Sequence, residues 1–165
     1  EDAYFKIKKI LNSKKINLEF LVLLFANAPN VTNALIDKGI AALRKNKTYD
    51  SAVSTSVYNM WSPLRARKLT KNGLVPFVDF SYFGDVNKLN CDRDSQGDVY
   101  FADMGVSVVR PKCLEDMKSG MLPQKWMGKK ILPIKSEAGF DLDYDWQLPG
   151  VEYWLKKNGF KKKYD

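Results

Sequence analysis

The stretch LEFLVLLF, residues 18–25, is an apolar run of strand length that decides the fold class of this chain. Such runs are typical of strands buried on both faces, as in a parallel sheet. The segment NAPN at residues 27–30 ends the run, a helix is predicted over residues 32–45, and residues 50–57, rich in Ser, Thr and Val, predict a second strand. Strand, helix and strand in this order predict a crossover unit of an α/β fold.

Outward from this unit the pattern changes in both directions. Phe5, Ile7 and Ile10 recur at near-helical spacing, so the chain is predicted to open inside a helix. Downstream, antiparallel strands are predicted around Asn72-Gly73, followed by a buried strand, a short helix, a further strand and an amphipathic helix. The antiparallel strands are predicted over residues 65–69, 74–80 and 99–101. The buried strand is predicted over 106–109, the short helix from Pro111, the further strand over 131–134 and the amphipathic helix over 146–158.

Composition excludes several kinds of chemistry. The 165 residues contain no histidine, and the two cysteines, Cys91 and Cys113, form no CxxC pair. A zinc finger, a histidine general base and a Ser-His-Asp triad are therefore excluded. The net charge of +8 could suit nucleic acid, an acidic membrane or small anionic substrates. No nucleic-acid recognition motif and no apolar run of about 20 residues accompanies it, so we expect neither nucleic acid nor a membrane as partner. The two unpaired cysteines make a reducing, cytoplasmic location the expectation.

The densest candidate site is GFDLDYD at residues 139–145. In an extended segment, Asp141 and Asp143 point to the same face, about 7 Å apart. Two such carboxylates can share Mg²⁺ with water and the oxygens of a phosphate. The alternative interpretation is an acidic turn that caps the following helix.

Two further segments carry candidate binding groups. The loop at Asn27 follows a predicted strand, where ligands of α/β sheets often bind, although an ordinary turn is the alternative. Arg65 and Arg67 would share one face of a strand and could clamp a carboxylate or phosphate. An exposed edge strand with protective charges explains the same pattern.

Together these motifs resemble the acylneuraminate cytidylyltransferases, the CMP-sialic acid synthetases and their relatives. The similarity runs from about residue 21 to 159, and its most specific element is Asp141-Leu142-Asp143, which matches an Asp-Ile-Asp motif that coordinates magnesium. The other matching segments, in chain order, are LLFANAP at residues 23–29, YDSAVSTS at 49–56, SPLR at 62–65 and DMGVS at 103–107.

The resemblance implies a partial Rossmann-like nucleotidyltransferase sheet with helices on both faces and a small antiparallel dimerisation protrusion at about residues 63–100. Residues 1–165 would be a single domain that lacks the N-terminal CTP-binding part, because no Gly-rich phosphate loop is present. The implied partners are CTP, a nonulosonic acid sugar and a second copy in a homodimer, with Mg²⁺ as cofactor. The implied substrate-binding residues are Asn27, Ala28, Arg65, Met104, Gly105 and Gln147.

The implied activity is transfer of CMP from CTP to a sialic-acid-like sugar, with release of pyrophosphate. Asp141 and Asp143 would be the catalytic residues, and the chain alone would have little activity. Departures from the family pattern include Phe25 in place of a sugar-contacting glutamine and Met104 in place of an asparagine. Two alternatives stay open: a nucleotidyltransferase for KDO or another sugar, and a non-catalytic binding or oligomerisation module.

Overall fold

The computed structural model describes residues 2–90 and 92–161, so Cys91 lies outside the described residues. The described elements alternate between helices and strands. In chain order they are α1 Asp2–Ser13, β1 Leu21–Leu24, α2 Asn33–Lys45, β2 Ser51–Val57, β3 Arg67–Thr70, β4 Gly73–Pro76, α3 Arg93–Gln96, β5 Tyr100–Val109, α4 Lys112–Glu115, β6 Ile131–Lys135 and α5 Leu148–Lys157. No helix within these described ranges is both long and apolar enough to cross a bilayer.

The main sheet has the strand order β1-β5-β2-β6 and is mixed. β1 runs antiparallel to β5, with Leu21 opposite Val109, whereas β2 runs parallel to β6, with Ser51 opposite Ile131. The chain is therefore an α/β protein, as predicted, but most strand pairs of this sheet are antiparallel.

The predicted burial of β1 on both faces is wrong. β1 is the edge strand of the described sheet, and Val22, Leu23 and Leu24 are 39–47% exposed. The apolar run predicted a strand correctly, but a run of apolar residues cannot show which neighbours the strand will have. Burial depends on those neighbours, and β5 is the one strand that pairs with β1 in the described part of the chain.

Helix α2 forms where the sequence predicts it. The Thr32 hydroxyl accepts a hydrogen bond from Leu35 N at 3.2 Å and so caps the free amides of the first turn. Leu43 is completely buried and belongs to the hydrophobic core with residues from β2, β5 and β6. These are Ala52, Val106, Val108 and Ile134.

Helix α1 is also confirmed, but its apolar face is only half covered. Phe5, Ile7 and Ile10 are 49–54% exposed, whereas Tyr4 is buried. The Tyr4 hydroxyl donates to Glu115 Oε1 at 3.3 Å, which joins α1 to α4. The tyrosine that attaches this helix was not part of the predicted apolar stripe.

The chain divides into two compact units. Unit 1 contains the chain up to Thr55 and again from Ala102 onward, and unit 2 is Ser56–Phe101. Within unit 2, β3 and β4 form the predicted antiparallel hairpin, and Gly73 after the turn has φ of 102°. That positive φ suits glycine, because it has no Cβ.

Two strand predictions in unit 2 need correction. The predicted strand over residues 74–80 ends at Pro76, since a 3₁₀ turn forms at Phe80–Phe83. The Asp79 carboxylate accepts from Ser81 N at 2.8 Å and thereby starts that turn. Residues 99–101 do not form a separate strand, because Tyr100 and Phe101 are the beginning of β5.

The C-terminal amphipathic helix is confirmed with a later start. A 3₁₀ turn occupies Asp145–Gln147, and α5 follows with Val151 buried. Gly159 lies just after the helix with φ of 79°, a conformation that favours glycine and is common at helix C-termini.

Asp50, just before β2, has an ion pair that makes stability depend on pH. Burial of its carboxyl acts to raise the pKa, but hydrogen bonds from Lys112 and from the Lys130 and Lys129 amides outweigh burial and lower the pKa to about 2. Lys112 Nζ lies 2.7 Å from the carboxylate, and the two amides lie 3.0 Å and 2.9 Å from it.

We expect this carboxylate to stabilise the fold above a pH of about 4, the pKa of an unfolded aspartate, and to lose that effect as the pH falls toward 2. Between a pH of about 5 and about 2, the wild-type free energy of unfolding should fall by about 1–2 kcal/mol more than that of Asp50→Asn. Urea denaturation at both pH values measures this difference. Equal losses in the two proteins would contradict it.

Candidate functional site

The candidate site lies in unit 1, where the loop after β1 meets the segment of residues 138–143. The Asn27 carbonyl accepts from Leu142 N at 2.8 Å. The Asn27 side chain donates from one nitrogen, Nδ2, to Asp141 Oδ1 at 2.6 Å and to Asp143 Oδ1 at 3.2 Å. Two segments separated by 114 residues in the sequence are thus joined by both the backbone and the side chain of Asn27.

The two carboxylates of this acid pair, Asp141 and Asp143, lie on the same side of their segment, since both reach one nitrogen. Both side chains are exposed, while Leu142 between them is half-buried. The backbone between them is a tight turn, with Asp143 N donating to Asp141 O at 3.1 Å, and not the extended strand that the spacing argument assumed.

Gln147 supports this turn from the helical side. Its Oε1 accepts from Asp143 N at 2.7 Å and from Tyr144 N at 2.8 Å. Gln147 was predicted to bind substrate, but its amide oxygen is already bonded to the backbone of the acid segment. In the structure it holds the start of the 3₁₀ turn before α5.

Asn30 connects the loop after β1 to the same segment. It is 6% exposed, its Nδ2 donates to Ala138 O, and its Oδ1 accepts from Phe140 N at 3.4 Å. From the sequence alone, Asn30 is only part of a break after the strand. A buried asparagine in a loop can be recognised only when its partners, more than a hundred residues away, are known.

Met104 and Gly105 lie beside a third aspartate, Asp103, which was not among the predicted binding residues. Asp103 Oδ1 accepts from Gly105 N at 3.1 Å and from the Ser54 hydroxyl. Met104 has φ of 58°, a left-handed conformation that costs energy for a residue with a Cβ. The strand β5 therefore carries a local distortion here.

Gly139 brings the acid segment against Asp103. A Cβ built on Gly139 would lie 2.4 Å from Asp103 Cβ, so no other residue fits without a shift. The carboxylates of Asp141 and Asp143 consequently follow directly after a point of close contact with β5.

Ala28, which was predicted to contact substrate, packs against β5 in the structure. Ala28 is 7% exposed, and a Cβ built on Gly105 would lie 3.3 Å from the Ala28 Cβ. Its amide donates to Phe25 O at 3.2 Å. The small side chain allows the loop after β1 to pack closely against β5.

Arg65 belongs to unit 2, and the predicted strand face shared by Arg65 and Arg67 is wrong. Arg65 lies in a turn before β3, where its amide donates to Ser62 O at 2.8 Å. The Arg67 guanidinium donates to Leu64 O at 2.7 Å and lies 5.3 Å from the Phe80 ring centroid. Pro63 favours this turn, and the strand begins only at Arg67.

Arg65 lines two pockets of unit 2. One has a volume of about 280 Å³ and is also lined by Arg67, Phe80 and Gln96. The other, of about 690 Å³, is mostly apolar and includes Trp61, Phe77 and Phe101. The larger pocket is lined by aromatic side chains, and such a lining suits an apolar group better than a phosphate.

No cluster of three or more His, Cys, Asp or Glu side chains arranged to hold a metal occurs among residues 2–90 and 92–161. The acid pair supplies two carboxylates, which is enough for a cation that takes its remaining oxygens from water and a phosphate. A comparison with models of protein families finds none that matches this chain, and a comparison with curated proteins finds no match either.

Proposed function

We propose that this chain is part of a cytidylyltransferase that transfers CMP from CTP to a sialic-acid-like nonulosonic acid. The observation that carries the proposal is the bonding of Asn27 to both Asp141 and Asp143, since it joins two of the motifs that resemble the family. A loop at the end of a strand and an exposed acidic turn are the parts that such a site needs.

The donor set of the acid pair fits magnesium. Carboxylate oxygens are the ligands that this hard cation prefers, and both side chains are exposed to water, which would complete the coordination. When bound, magnesium would neutralise charge on the phosphates of CTP and on the leaving pyrophosphate. Asp141 and Asp143 would hold it, and Asn27 would keep the two carboxylates together.

In the proposed reaction the anomeric hydroxyl oxygen of the sugar forms a bond to the α-phosphorus of CTP. The bond from that phosphorus to the bridging oxygen of the β-phosphate breaks, pyrophosphate leaves with the electron pair, and the hydroxyl proton passes to solvent. Such a transfer depends on positioning and charge neutralisation more than on covalent catalysis.

We also propose that unit 2 mediates a homodimer. Three of its aromatic side chains are more than half exposed: Trp61 is 57%, Phe77 55% and Tyr82 81% exposed. Phe80 and Phe83 of the same unit are half-buried. Exposed aromatic residues of this kind are enriched in interfaces between subunits.

Sedimentation velocity tests the dimer. We expect the wild-type chain to sediment as a dimer and the double variant Phe77→Ser, Leu74→Ser to sediment as a folded monomer. Lys71→Ser, in the turn between β3 and β4, is the matched control and should remain dimeric. A wild-type monomer at all concentrations would contradict the proposal.

The activity is tested with the protein that contains this chain, assayed for pyrophosphate release with CTP and a panel of acidic sugars that includes sialic acids and KDO. Release with CTP and a nonulosonic acid, and not with CTP alone, supports the proposal. Release with KDO alone, or with a different nucleotide, would assign a neighbouring transferase. No release with any pair would favour a non-catalytic module.

A further inference from the structure

Asn30 is a buried polar side chain, 6% exposed, that bonds to the backbone just before the acid pair. An asparagine amide offers a donor side and an acceptor side. Here Nδ2 donates to Ala138 O and Oδ1 accepts from Phe140 N at 3.4 Å, so both sides are used on one stretch of backbone. That stretch leads directly into Asp141.

We propose that Asn30 is a positioning residue for Asp141 and Asp143, because it fixes the backbone of residues 138–140 and so sets where the two carboxylates meet Asn27. This inference rests on the proposed role of the acid pair as the ligands of a divalent cation. Asn30 would act through the backbone and would not touch the cation or the substrate.

The geometry gives a continuous path from Asn30 to the carboxylates. Asn30 holds the amide of Phe140. Two residues further along the chain, Leu142 N donates to Asn27 O at 2.8 Å. Asn27 Nδ2 then reaches Asp141 and Asp143 at 2.6 Å and 3.2 Å. Asn27 and Asn30 belong to the same loop, so each end of the acid segment is tied to one short piece of chain.

Other contacts hold the segment in register but do not replace Asn30. Gly139 is pressed against Asp103, and the Phe140 ring packs edge-on to Trp154 at 6.2 Å between centroids. Ala138 O also accepts from the Ser136 hydroxyl at 2.9 Å, so removal of the Asn30 amide leaves that carbonyl with a partner. The Phe140 amide is the group that would lose its bond.

The test compares Asn30→Ala with Ser51→Ala in the 165-residue chain. Ser51 is a matched control, because it is also buried in unit 1 and its hydroxyl donates to a loop carbonyl, Met127 O, at 2.7 Å. The probe is Mn²⁺ alone, a paramagnetic substitute for magnesium, whose free concentration is read by electron paramagnetic resonance. Hydrogen exchange of the Leu142 amide is measured on the same samples.

We expect Asn30→Ala to weaken Mn²⁺ binding about tenfold, the usual effect of removing a group that orients metal ligands, and to speed exchange of the Leu142 amide by a similar factor. Ser51→Ala should lower the midpoint of thermal unfolding about as much as Asn30→Ala does. Its Mn²⁺ affinity and its exchange rate at the Leu142 amide should stay within twofold of wild type. That difference separates positioning from a general loss of stability.

Asn30→Ala with unchanged Mn²⁺ affinity would overturn this inference and leave the proposed function intact. Equal losses of affinity in Asn30→Ala and Ser51→Ala would also overturn it. If the wild-type chain binds no Mn²⁺ and Asp143→Asn changes nothing, the cation site itself is absent, and the proposed function fails together with the inference.

Discussion

Asp143→Asn is expected to lower the rate of CMP transfer by about 10²–10³-fold in the protein that contains this chain, with folding nearly unchanged. The substitution removes a negative charge from the acid pair, where a divalent cation would need it. It keeps the shape of the side chain. It also keeps an oxygen that can accept from Asn27 Nδ2, which lies 3.2 Å from Asp143 Oδ1 in the structure. The loss should therefore fall on turnover and on cation affinity.

Pyrophosphate release and thermal unfolding measure the two effects separately. Asp145→Asn is the matched control, because Asp145 is an exposed aspartate at the start of the next 3₁₀ turn, two residues along the same segment. It should retain nearly full activity. Unchanged turnover in Asp143→Asn, or equal losses in both variants, would refute the assignment of the cation to this pair.

Gly39→Val is expected to destabilise the fold by about 3 kcal/mol, because α2 packs against the sheet at this glycine. A Cβ built on Gly39 would lie 2.7 Å from Ile134 Cδ1 and 2.8 Å from Val108 Cγ2. The Ile134 methyl group is at the end of a flexible side chain, but Val108 is branched and completely buried in the core. Valine adds two methyl groups beyond the Cβ, at a position where the Cβ alone would already be too close to its neighbours.

Chemical denaturation measures this loss, and Gly150→Ala is the control. Gly150 lies in α5, and a Cβ built on it would meet nothing within 4 Å. Alanine there should leave stability unchanged or raise it by up to about 1 kcal/mol, since glycine is the poorer helix former. Equal stability of Gly39→Val and wild type would show that α2 does not pack as closely as the structure indicates.

Several parts of the fold could be predicted from the sequence because their signals are local. The helix predicted over residues 32–45 forms as α2, Asn33–Lys45, and its Leu43 lies in the core. The Ser- and Val-rich stretch predicted β2, and Asn72-Gly73 predicted the hairpin of β3 and β4. Each of these patterns is completed within one element or one turn.

The candidate site was predicted only in part. The spacing of Asp141 and Asp143 indicated a pair of carboxylates on one side, and their shared bond to Asn27 is consistent with that. The partners that hold the pair could not be predicted: Asn30 bonds to residues 108 and 110 positions away. Hydrogen bonds over such separations depend on how the sheet is assembled, which no local pattern encodes.

Alone, the sequence determined the helices α1, α2 and α5 and the approximate places of most strands, because backbone propensity and apolar periodicity act over a few residues. It also placed two carboxylates close together at Asp141 and Asp143, although in a turn and not in the extended segment that was predicted. The tertiary structure decided that β1 is an exposed edge strand antiparallel to β5, that Arg65 lies in a turn of unit 2, and that the loop after β1 reaches the acid pair. Strand neighbours and long-range contacts follow from the burial and hydrogen bonding of the whole chain, and one segment by itself does not contain that information.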